Sequence, residues 1–94
     1  MRRAAKTDRN QAEIVRALRQ AGASVLCLHG VGQGCPDLAV GFRGKNYFLE
    51  IKDGDLPPSK QALTEDEQDF FWSWDGHYKL VTSVKEALEV ITRG

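Results

Sequence analysis

Ninety-four residues, with 13 Lys and Arg balanced by 13 Asp and Glu, carry no formal net charge, and 41% of them are apolar. A chain of this size supports one modest core, burying a little over ~60% of its extended surface, and its composition is that of an ordinary globular domain over 1–94. No apolar run approaches the ~20 residues of a membrane span and the basic, polar start does not read as a signal peptide, so a cytoplasmic protein is expected.

The first helix is expected to start near Thr7 or Asp8, both good N-caps, to bury Ile14, Ala17, Leu18 and Ala21, and to end at Gly22. Residues 1–20 hold Arg2, Arg3, Lys6, Arg9, Arg16 and Arg19 against Asp8 and Glu13, a basic front that suits a phosphate backbone but equally a solvated helix face. A short apolar strand over 24–29 follows. Cys27 and Cys35 have no CxxC spacing and read as reduced thiols; with His29 they fall short of the four ligands of a closed zinc site. The glycine-rich run Gly30-Val31-Gly32-Gln33-Gly34 lacks the Gly-Lys-Ser/Thr of a P-loop and reads as a strand connection or a flexible segment near substrate.

Strands over 37–42 and 45–52 flank Arg43-Gly44 and form a hairpin. A two-residue turn pairs Phe42 with Lys45 and sets Asp37 opposite Glu50; a four-residue loop shifts the pairing by two but keeps the parity, and a three-residue loop breaks it. Side chains alternate with period two, so Asp37, Glu50 and Lys52 share one face with Phe48, while Leu38, Val40, Phe42, Tyr47, Leu49 and Ile51 form an apolar face. Opposed carboxylates destabilise a strand pair unless a hard cation joins them. The alternative is a solvated face on which Lys52 neutralises Glu50. Gly54, Pro57 and Pro58 interrupt regular structure. Thr64 and Glu67 form a capping box for a helix to about Trp74, a strand covers 78–82, and Ser83 with Glu86 caps a last helix with Val84, Ala87, Leu88 and Ile91 inward. The order α-β-β-β-α-β-α predicts an α/β fold, a mixed four-stranded sheet with flanking helices: antiparallel early strands, then a parallel pair across the β-α-β step.

Two polar residues stand out. Glu13 borders the apolar stripe of the first helix and is placed to lean over the sheet as a third carboxylate, or else to be solvated. Gln68, with Phe71 and Trp72 at i+3 and i+4, is expected on an apolar side of its helix, orienting a phosphate, a water or Lys52, or bonded to backbone.

Pro36-Asp37, twelve residues, then Glu50-Ile51-Lys52 resembles the PD-(D/E)xK nuclease motif. With Asn10-Gln11-Ala12-Glu13 before it and Leu63-Thr64 and Gln68 after it, nearly the whole chain is similar to the VRR-NUC branch, especially its stand-alone phage-type members. The resemblance implies a restriction-endonuclease-like core and a metal-dependent, structure-selective DNA endonuclease, homodimeric and of phage or bacterial origin, related to Holliday-junction resolvases. It implies Mg²⁺ or Mn²⁺ on Asp37, Glu50, the Ile51 carbonyl and Glu13, with Lys52 positioning the attacking water or stabilising the transition state and Gln68 assisting. The alternatives are a catalytically inactive nucleic-acid-binding module of the same fold and a metal-dependent phosphatase acting on small substrates.

Overall fold

The computed structural model describes residues 8–93. Helix α1 (Gln11–Gln20) buries Ile14, Val15 and Leu18 together with Gln11, so its inner stripe runs through Val15, whereas Ala21 is exposed. Thr7 lies outside the described residues. The helix starts after Asn10, whose side chain caps nothing within α1 and instead donates to the carbonyls of Lys52 (3.2 Å) and Thr82 (3.0 Å). Tertiary hydrogen bonds, not a local cap, therefore fix where α1 begins.

Strands β1 (Ser24–Cys27), β2 (Leu38–Phe42), β3 (Lys45–Ile51) and β4 (Tyr78–Val81) form one sheet in the order β1-β2-β3-β4. β1–β2 and β2–β3 are antiparallel and β3–β4 is parallel, the mixed sheet that the element order predicts. Phe42 pairs with Lys45 across Arg43 (φ 53°) and Gly44 (φ 81°). Positive φ at both central residues defines the tight hairpin turn whose twist matches that of the strands. The Arg43 guanidinium, 4.9 Å above the Phe42 ring, adds a cation–π contact that offsets part of the strain of a non-glycine residue there.

One face of the sheet presents Leu38, Val40, Leu49, Ile51 and Val81 to α1 and to α4 (Val84–Arg93), where they meet Ile14, Leu18, Ala87 and Ile91. Each fully buried Leu or Ile contributes about 1.5–3 kcal/mol. On the other face α3 (Glu65–Ser73) lies over the β3–β4 half. The Phe48 ring centre is 5.8 Å from that of Phe70 and 4.6 Å from that of Trp74, and Tyr78 meets Phe70 at 5.9 Å. Before α3 comes a single turn, α2 (Pro58–Gln61), in the stretch expected to be irregular; proline at the first helical position is pre-set for it. The Thr64/Glu67 capping box forms as expected, with Thr64 Oγ1 accepting from Glu67 N (3.3 Å), and Ser83 caps α4 by accepting from Glu86 N (3.1 Å) while Glu86 reaches Thr82. Among the described residues no helix is long and apolar enough to cross a membrane.

Candidate carboxylate–lysine site

The site grows from the phase of the β3 ladder. Phe48 N and Lys52 N donate towards β4, to His77 O and Val81 O (3.0 Å each). The amide of Ile51, one residue out of phase, therefore points towards β2, where pairing has ended at Leu38. The Asp37 side chain takes the place of the missing strand, accepting from Ile51 N through Oδ2 at 2.8 Å. One step beyond the Leu38–Leu49 pair, Asp37 comes level with Glu50. Glu50 is 3% exposed, and its Oε1 is buried with no hydrogen-bond partner among the described residues. Its Oε2 lies 3.8 Å from Lys52 Nζ. Lys52 donates to Glu67 Oε1 at 2.9 Å, the same oxygen that accepts from Thr64 N at 2.8 Å to complete the α3 capping box.

The electrostatics follow from that crowding. Burial first, and then the charges of Asp37 and Glu67, push the Glu50 carboxyl up to about 9. Burial opposes the charge on Glu67 too, but the Thr64 amide and Lys52 outweigh it and hold that carboxyl low. Burial likewise works against the Lys52 ammonium, and Glu67 and Glu50 more than restore it. Asp8 is raised, by burial first; Lys52 opposes this while Asp37, Asp53 and Glu67 add to it, so a fourth carboxylate lies within electrostatic reach. The Cys35 thiol is pushed up by burial and by Glu50 and Asp37, which leaves it a poor nucleophile.

Asp37, Glu50 and Lys52 are thus brought together as the hairpin parity predicts. Glu13 is not: it is exposed on α1, in a groove with Arg9, Asn10, Asp53 and Asp55. No hydrogen bond or ion pair among the described residues links it to the other three. Gln68 is exposed and turns back to the Leu63 carbonyl at 3.3 Å. On its expected apolar side Phe71, 37% exposed, packs edge-on against Tyr78 at 5.1 Å, while Trp72 is 78% exposed. Ile51 enters through its amide, with its side chain in the core. The residues missed are Glu67 and Asp8. Glu67 carried a signal, since Glu67, Phe70 and Trp74 recur at i, i+3 and i+7, a single helical stripe; no periodicity marks Asp8. The glycine-rich loop is held against the first turn of α3: a Cβ on Gly34 (φ +79°) would lie 2.3 Å from the Asp66 carbonyl oxygen.

The donor set suits a hard cation. Asp37 and Glu50 offer carboxylate oxygens, one of them orphaned and buried, and Mg²⁺ commonly takes only one or two carboxylates and keeps several waters. Among the described residues no three His, Cys, Asp or Glu side chains are arranged to enclose an ion by themselves. Arg9 withdraws two further acids from the cluster by pairing with Asp53 (2.6 Å) and Asp55.

No family model matches this sequence, and no curated protein matches it. A solved structure titled "VRR_NUC domain" is similar to it, with a TM-score of 0.60 over 88% of this chain and 95% of that one at 24% identity. The fold is therefore that of the solved VRR_NUC domain, an α/β core with a mixed four-stranded sheet.

Proposed function

We propose that this chain is a divalent-metal-dependent, structure-selective DNA endonuclease that hydrolyses phosphodiester bonds, with branched and four-way junctions as its preferred substrates, and that it acts in the cytoplasm as a homodimer. One observation carries the reading. In a fold like that of a VRR_NUC domain, a buried glutamate with an orphaned oxygen sits beside Asp37 and Glu67, with Lys52 the only counter-charge among the described residues. A phosphodiester approaching that excess of negative charge needs a cation between.

Asp37 and Glu50 would hold Mg²⁺ or Mn²⁺, with the Ile51 carbonyl as a further oxygen ligand and the charge of Asp8 nearby. When bound, the ion neutralises the phosphoryl group and lowers the pKa of the attacking water. The chain's own residues do the rest. The Ile51 amide fixes the Asp37 carboxyl. Glu67 and Glu50 hold the Lys52 ammonium at the edge of the site, where it stabilises charge developing on the phosphoryl oxygens. Gln68 stays outside this machinery.

The test is incubation with duplex, single-stranded, flap, splayed and four-way DNA in Mn²⁺, Mg²⁺ or EDTA. Wild type should cut at least one branched substrate with metal, and Glu50→Ala and Lys52→Ala should abolish cutting while keeping the fold. Undiminished cutting in EDTA refutes the mechanism. Hydrolysis of a small phosphomonoester with no DNA cut in Mn²⁺ refutes the substrate class.

A further inference from the structure

We infer that the groove between α1 and the end of β1 is the track along which the DNA backbone reaches the carboxylate–lysine site, an inference that rests on the nuclease reading above. Gln11, Arg16, Arg19, Gln20, Cys27 and His29 line the groove together with small apolar side chains, and no carboxylate does. In a chain whose charges balance, this placement matters. Arg9 is clamped by Asp53 and Asp55, and Lys52 by Glu67 and Glu50. Arg16 and Arg19, both exposed, have no carboxylate partner among the described residues. They sit one turn apart on α1, so both project along the same side of the groove. The Arg19 guanidinium is braced by a hydrogen bond from Nη2 to the Val25 carbonyl at 3.1 Å. A braced guanidinium gives up less conformational freedom on meeting a phosphate.

The floor of the groove is polar and under-satisfied. Gln11 is 7% exposed, and its Oε1 and the Nδ1 of His29 are buried without a partner among the described residues. Such groups call for a water or a ligand. The groove ends beside the backbone of two site residues. Its β1 wall continues into Leu28, whose amide donates to the Asp37 carbonyl at 2.7 Å. Its α1 wall begins beside Asn10, which donates to the Lys52 carbonyl. From Gln11 to Arg19 the helix rises about 12 Å, the axial rise of three to four nucleotides of one strand. A backbone laid there meets two guanidinium groups and arrives at Asp37.

The test is fluorescence anisotropy of an end-labelled splayed DNA in EDTA, so that binding is read without cleavage, over a range of KCl concentrations. Arg16→Gln/Arg19→Gln should weaken binding about tenfold and flatten the slope of log affinity against log salt by about 2, one unit for each lost phosphate contact. Arg16→Gln alone, which leaves the Arg19 brace intact, should flatten it by about 1. Lys79→Gln/Arg93→Gln, removing two exposed charges at the β4 side, should change neither. Groove variants that melt like wild type yet bind with its affinity and slope overturn the inference, and if wild type still cuts DNA the nuclease reading stands without it. If wild type binds through Arg16 and Arg19 but never cuts, the groove holds and the enzyme reading falls. If wild type does not bind DNA, both fall.

Discussion

Glu50 sets the pH behaviour of the metal-free protein. Its folded carboxyl sits near 9 against an ordinary 4.5, so between those values the native state keeps a proton that the unfolded chain releases. Its contribution to stability is therefore complete below about 4.5 and is lost as pH rises through about 9. Melting curves in EDTA should fall from pH 5.5 to 8.5, and Glu50→Gln should flatten that fall and melt about 5 °C above wild type at pH 8, a gain of roughly 1 kcal/mol. A Gln variant that melts lower removes the burden assigned to this carboxylate. Mg²⁺ at ten times its dissociation constant should raise the wild-type midpoint by roughly 6–11 °C, from a linkage of about 1.4 kcal/mol, and should do little for Glu50→Gln. Glu67→Ala should weaken the α3 cap by about 1 kcal/mol and cut cleavage at least about tenfold. Glu67→Gln keeps an acceptor for Thr64 and Lys52 and should restore most of the stability. Gln68→Ala should do neither, and a large loss of activity there would return Gln68 to the site. At this scale Asp37, Glu50 and Lys52 were legible because strand parity is a local rule. Glu67 was hidden because its capping role already accounted for it, and Asp8 because a fold-dependent approach brings it near Lys52.

Among the elements, the hairpin was the most readable: Arg43-Gly44 is not a strong two-residue turn signal, but once it turns in two residues, alternation fixes every side chain on β2 and β3. The start of α1 was not, because Asn10 spends its side chain on carbonyls 42 and 72 residues away, which no local propensity encodes. The inner side of α3 was not fixed by the sequence pattern for a related reason: Phe70, Phe71, Trp72 and Trp74 offer apolar stripes in more than one direction, and the contacts with Phe48 and Tyr78 choose among them. The loop between β1 and β2 yields a prediction of its own. Gly34→Ala forces a Cβ into the backbone of the first turn of α3 at a positive φ, and urea unfolding should show a loss of about 1–3 kcal/mol. Gly30→Ala, where a Cβ meets open space, should be close to neutral. Equal effects at the two positions would mean that the loop does not bear on α3.

For the molecule as a whole, the balanced charge count argued mildly against nucleic acid, and only position along the chain hinted otherwise. The fold gathers some of the acids around Lys52 and leaves Arg16 and Arg19 on α1 without a carboxylate partner among the described residues. It also leaves Trp72 at 78% exposure, Leu26 at 61% and Trp74 at 45%, large apolar side chains that a second copy of the chain would cover. Light scattering at tens of micromolar should give the mass of a dimer, and Trp72→Glu should shift it towards the monomer; a monomeric wild type ends that expectation. One further consequence follows from the oxygen of Glu67 that accepts from both Thr64 N and Lys52 Nζ. Whatever draws the lysine away from it removes one of its donors and alters how often the first turn of α3 frays. Deuterium uptake at Thr64 then becomes a clock for the lysine, and should change when substrate binds even though no part of α3 need touch it.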